Sequence, residues 1–169
     1  MTSTTETSGR SGLSAAVALA TTAWALLGGV LLLVVVGINV LSVVGAVFGA
    51  PFPGDFELTE IGIAVAVFAF LPYCQITDAN VTADIFTSRA PAPVLAALRA
   101  LASLVAFGFA CILVWRMYLG MVDQKTYDYT TAILQVPIWW GFVPILISLA
   151  LLVVASAVTF IESLSEVRA

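Results

Sequence analysis

Apolar residues run along this chain in four long blocks rather than in the short alternations of a soluble domain. From Leu13 to Gly54 no charged residue occurs across 42 positions, and Asn39 is the only strongly polar side chain in that block. About 20 apolar residues suffice to cross a bilayer as a helix. The pattern therefore predicts a first span near Ala18–Phe48. It is longer than a perpendicular crossing needs, so it must tilt, bend or extend along an interface. The adjacent Gly28 and Gly29 mark the expected bend, and Gly49-Ala50-Pro51-Phe52-Pro53-Gly54 is the stop signal.

A second block predicts a span over Phe56–Ile76, with Glu57 and Glu60 in its first turn, where a helix N-terminus favours carboxylates. Pro72 near its far end should kink the last turns. After a polar stretch from Thr77 to Ser88 and the breaker Arg89-Ala90-Pro91-Ala92-Pro93, a third span is expected over Val94–Gly120. The polar loop Met121–Ala132 leads to a fourth over Leu134–Ile161. There Pro137 suits the first helical turn, Trp139 and Trp140 suit an interfacial aromatic belt, and Pro144 predicts a bend. The expected organisation is all-α: an integral membrane bundle of four transmembrane helices over residues 18–161. A polar tail, 1–17, precedes it and a short tail, 162–169, follows.

Composition agrees with this. Hydrophobic residues make up 62% of the chain and charged ones 9%, against about 25% charged in soluble domains. The mean hydropathy is +1.12. The first apolar run is too long for a cleaved signal, whose apolar region covers about 7–15 residues, so it is expected to remain as an anchor. Six basic residues scattered along the chain form no phosphate-binding stripe, which argues against nucleic acid. The chain has no histidine, so His-ligated haem, the usual zinc sites and the commonest general base are excluded. Cys74 and Cys111 lie in apolar runs as small hydrophobes. No catalytic, cofactor or metal site is expected.

Basic residues in the flanks set the orientation. With both termini inside, the cytoplasmic side holds Arg10, Arg89, Arg99 and Arg168, against Lys125 and Arg116 on the other. Four against two predicts cytoplasmic termini under the positive-inside rule.

Glu57 and Glu60 share a helix face. A cation site, a proton relay or a general acid–base pair is one reading of such a pair, and a solvated helix cap is the other. After Glu60 the charge-free core, Ile61–Thr77, is only 17 residues, and only 16 residues separate Arg99 from Arg116. Arg116 either snorkels outward or pairs with an acid. Glu60 is the candidate partner, because both residues stand about one turn inside the same end of their helices. Asn39 either hydrogen-bonds across helices or belongs to a site, and packing is the expected use. Small residues four apart, Gly45 with Gly49, Gly62 with Ala66 and Ala106 with Ala110, are candidate sites of close helix approach. No repeat, broken-helix pair or central charge marks an autonomous carrier.

Three local patterns resemble those of the small membrane subunit (Q subunit, DctQ-like) of tripartite ATP-independent periplasmic (TRAP) transporters. Phe52-Pro53-Gly54-Asp55-Phe56-Glu57-Leu58 is similar to that family's Gly/Ser-x-Glu-Leu motif. Asn80-Val81-Thr82-Ala83-Asp84-Ile85-Phe86 is similar to its His-x-x-Val-Asp segment, with Asn80 in place of the frequent histidine and Ala83 in place of valine. The run from Thr131 through Leu134 to Pro137-Ile138-Trp139-Trp140 is similar to Thr-x-x-Leu-x-Ile-Pro-x-Trp and is the most specific of the three. The resemblance covers Ala18 to Ile161.

It implies a non-catalytic scaffold in a bacterial inner membrane. Its implied partners are a large transport subunit (M subunit) and a soluble periplasmic substrate-binding protein (P subunit), in sodium-driven uptake of organic acids. The candidates for structural or interface roles are Glu57, Glu60, Arg116, Asn39, Asp84, Pro137, Trp139 and Trp140. Two alternatives stay open at this point: the small four-span subunit of a tripartite tricarboxylate transporter, and a membrane anchor subunit of an enzyme complex.

Overall fold

The computed structural model describes residues 12–77 and 92–168. Among them are four helices: α1 (Gly12–Val47), α2 (Asp55–Ile76), α3 (Ala92–Thr126) and α4 (Trp139–Arg168). Each is long and apolar enough to cross a membrane. At 1.5 Å per residue, the 36 residues of α1 and 35 of α3 exceed the thickness of a hydrocarbon core. Leu19, Leu26, Leu33, Leu41 and Val47 lie along the exposed side of α1, a surface that lipid or another membrane protein can solvate and water cannot.

The helices do not pack in chain order. α2 lies between α1 and α4, α4 carries α3 on another face, and α1 touches α4 only slightly. Small residues make the α1–α2 contact close. A Cβ on Gly28 would stand 2.9 Å from that of Ala69, and one on Gly62 would meet Val35 Cγ2. Both approaches exist because the side chain is absent. Gly28 is thus a packing position, and α1 runs through Gly28-Gly29 without interruption. Gly62 and Ala66 do serve close packing, and both are buried.

The interior is built from small and hydroxylated side chains. Thr21, Ala66, Leu149, Ala155 and Ser156 are fully enclosed. Polar groups in hydrocarbon must find partners within the protein, and three pairs do so between helices. Trp24 Nε1 donates to Ser148 Oγ at 2.8 Å, linking α1 to α4. Gln75 Nε2 donates to Thr159 Oγ1 at 3.1 Å, linking α2 to α4. Asn39 Nδ2 donates to Thr59 Oγ1 at 2.7 Å, linking α1 to α2. The hydroxyls of Ser148 and Ser163 donate to carbonyls one turn back in α4.

Several boundaries differ from those the sequence suggested. α1 starts at Gly12 rather than Ala18. It ends where Gly49 turns left-handed, at φ +74°, and the Ala50 N–H reaches the Gly45 carbonyl at 2.9 Å. That is a glycine-terminated helix end. A Cβ on Gly45 would meet the Ala50 oxygen, so the Gly45/Gly49 pair closes α1 instead of packing it on a neighbour. α2 continues through the buried Pro72 to Ile76.

α3 extends past Gly120 to Thr126, and α4 begins at Trp139 rather than near Leu134. The intervening residues are committed to a tight loop. Thr130 and Pro137 form an antiparallel bridge. The Thr131 N–H donates to Val136 O at 2.9 Å, the Ile138 N–H donates to Tyr129 O at 3.0 Å, and Gln135 takes φ +54°. Pro137 therefore precedes the helix instead of opening its first turn. Its carbonyl accepts the Trp140 N–H at 3.1 Å.

Candidate functional site

The α1–α2 turn and the α3–α4 loop meet at one end of the bundle, and most of the singled-out residues gather there. Gly54, at φ +76°, turns the chain into α2, and a Cβ on it would strike the Leu134 side chain. The loop thus rests directly on the start of α2. Glu57, in the first turn of α2, holds it there. Its two carboxylate oxygens accept the Ile133 N–H at 2.6 Å and the Leu134 N–H at 3.0 Å. Successive backbone amides form a small concavity of positive potential that suits a carboxylate. Charge assistance makes such bonds stronger than neutral ones.

The neighbouring acid ties the same end to α1. Asp55 accepts the Phe56 N–H at 2.8 Å and the Ser42 hydroxyl proton. With Asn39–Thr59 one turn deeper, the start of α2 is bonded to α1 on one side and to the α3–α4 loop on the other. Sequence reasoning gave Asn39 and Glu57 but missed Ser42, Asp55 and Thr59. An acid at the first position of a helix is a visible signal for Asp55, but nothing local points to its serine partner.

An aromatic cluster surrounds the loop. The Lys125 ammonium lies 5.2 Å from the centre of the Trp139 ring, within cation–π range. Trp139 and Trp140 meet edge to face at 6.1 Å, and Tyr127 and Tyr129 lie 5.9 Å apart. Such a belt marks the level of lipid headgroups.

Glu60 and Arg116 are placed differently. Both are exposed, and among the described residues no ion pair joins them. Equal depth is not adjacency: α3 packs chiefly on α4 and at most marginally on α2. Between α2 and α3, floored by α4, lies a groove of about 640 Å³. Phe56, Glu60 and Phe68 wall it on α2, Met117 on α3, and Phe142 and Ile145 on α4. Asp84 and its segment Asn80–Phe86 lie outside the described residues.

The family model described as "Tripartite ATP-independent periplasmic transporters, DctQ component" matches residues 32–166. The chain belongs to this DctQ family. The match takes in the second half of α1, all of α2 and α3 and nearly all of α4, so the Glu57 latch, the loop and the groove are all parts of the DctQ region. No curated protein and no solved structure matches the chain. Family membership and four apolar helices together make it a multi-pass membrane component of a TRAP transporter. The resemblance drawn over Ala18–Ile161 is borne out, and the tricarboxylate-transporter and enzyme-anchor alternatives fall behind it.

Proposed function

We propose that this DctQ-family chain is a non-catalytic, static scaffold. It would brace a large membrane transport subunit during binding-protein-dependent, sodium-driven uptake of organic acids. A soluble periplasmic protein would deliver the substrate, and both termini of the scaffold would face the cytoplasm.

The observation that carries the scaffold reading is the chemistry of the interior. Among the described residues, the buried polar side chains are serines, threonines and Gln75, with no Asp, Glu, Lys or Arg. Gln75, Ser156, Thr159 and Ser163 spend their hydrogen bonds on helix carbonyls and on one another. Ion and proton pathways use intramembrane ionisable groups, and carriers bind substrate at broken helices near the midplane. The four helices here run without interruption. Such an interior holds helices in place and offers no polar route between them.

Reconstitution tests the reading. The full chain alone in liposomes should show no gradient-driven uptake of organic acids above empty liposomes, and adding a large partner subunit should be required for any. Uptake by the lone chain would refute it.

A further inference from the structure

Glu60 and Arg116, opposite charges near one end of the bundle, do not neutralise each other, and the groove lies between their helices. We propose that this groove is a binding site for one phospholipid with an ethanolamine headgroup: its ammonium on Glu60, its phosphate on Arg116, and an acyl chain between α2 and α3.

Three observations carry this. The first is size and direction. A volume of about 640 Å³ falls within the range of roughly 300–1,000 Å³ typical of small-molecule sites. From Glu60, where the headgroup is placed, to Phe68 the wall runs roughly 12 Å along α2 at 1.5 Å per residue. That is most of one leaflet of hydrocarbon, half of the ~30 Å core. The groove thus runs along the path of an acyl chain.

The second is polarity. Below Glu60 the walls are Ile61, Ala64, Phe68, Met117 and Ile145. Above it the Thr130–Ala132 stretch closes the groove beside the tyrosine and tryptophan cluster. An amphiphile with its polar end at the aromatic belt meets matching surface over its length.

The third is charge. Glu57 is occupied by two backbone amides, whereas Glu60 is exposed on the groove wall. Arg116 directly precedes the wall residue Met117 and is also exposed. A carboxylate on the α2 wall and a guanidinium next to the α3 wall residue Met117 fit a zwitterion. Arginine suits phosphate through its forked donors. A primary ammonium can donate hydrogen bonds to Glu60, which a choline headgroup cannot, and a glycerol headgroup carries no cation at all.

This inference requires only the membrane setting. It stands or falls independently of the scaffold role, because its test measures lipid retention and not transport. The full chain is exchanged into nanodiscs of equal parts phosphatidylethanolamine, phosphatidylcholine and phosphatidylglycerol, and retained lipids are identified by native mass spectrometry. One phosphatidylethanolamine per chain should be retained over phosphatidylcholine by about tenfold, equivalent to ~1.4 kcal/mol.

Glu60→Gln, which leaves the packing intact, should abolish that preference. Arg116→Gln should weaken retention of both zwitterionic lipids, and Ala64→Phe should obstruct the groove and lower retention of all three. Equal retention of the three lipids, or a preference that survives Glu60→Gln, would overturn the proposal. In the native membrane, a photo-crosslinking residue in place of Met117 should label lipid. Labelling of another polypeptide there would assign the groove to a protein partner and overturn it too.

Discussion

Glu57 and Leu134 are 77 positions apart in the chain, yet the carboxylate of one accepts the backbone N–H of the other at 3.0 Å. With the companion bond from Ile133, a single side chain holds the α3–α4 loop against the start of α2. Glu57→Ala should therefore release the loop without unfolding the bundle. Hydrogen exchange should accelerate at the amides of Ile133 and Leu134 and remain slow in the centres of α2 and α4. Glu57→Gln keeps one acceptor oxygen and should give an intermediate rate. Unchanged exchange at both amides in Glu57→Ala would remove the latch from this account.

The α1–α2 contact predicts a size limit with a specific remedy. A methyl group at Gly62 would meet Val35 Cγ2, and overpacking of this kind costs about 1–3 kcal/mol. Gly62→Ala should lower the midpoint of unfolding in mixed detergent accordingly, and adding Val35→Ala should recover most of the loss. A double variant no more stable than Gly62→Ala would place the strain elsewhere.

The bond from Trp24 to Ser148 joins helices that otherwise touch little. Hydrogen bonds between membrane helices average about 0.6 kcal/mol in double-mutant cycles. A cycle of Trp24→Phe and Ser148→Ala should return a coupling energy of that order. A value indistinguishable from zero would mean that the α1–α4 contact holds without it.

Gly37 is exposed, and a Cβ built there meets nothing within 4 Å. Gly37→Leu should leave the stability of the chain unchanged while weakening co-purification with a large membrane partner, if that partner covers this face of α1. Gly45 is unsuited to the same test, because its substitution would disrupt the end of α1 itself. Full retention of the partner by Gly37→Leu would show that the interface lies on another face.

Topology is checked most simply with reporters. Fusions at Ala169 and within Val122–Tyr129 should report opposite sides of the membrane, with Ala169 cytoplasmic. The same side for both would contradict a four-span arrangement.

Much of the architecture was legible because the bilayer imposes a one-dimensional rule. A helix that crosses hydrocarbon needs about 20 apolar residues in sequence, and this requirement involves no neighbour. The apolar blocks thus marked all four helices, and three local patterns, Thr131–Trp140 the most specific, marked the family. Helix ends were legible only where the stop was local, as at Gly49. The start of α4 was misplaced because residues 130–138 pair with one another across a loop, and that pairing, rather than the apolar count, sets where the helix begins.

Which helix meets which was decided by tertiary structure alone. Gly45/Gly49 and Gly62/Ala66 share the same spacing, yet one pair terminates a helix and the other packs two helices together. Glu60 and Arg116 share a depth, since residue counting measures height along the bundle. It carries no information about direction around the bundle, and α3 packs chiefly on α4. Glu57 could be read as a carboxylate at a helix start. Its actual partners are main-chain amides far along the chain, and backbone N–H groups have no signature in a sequence.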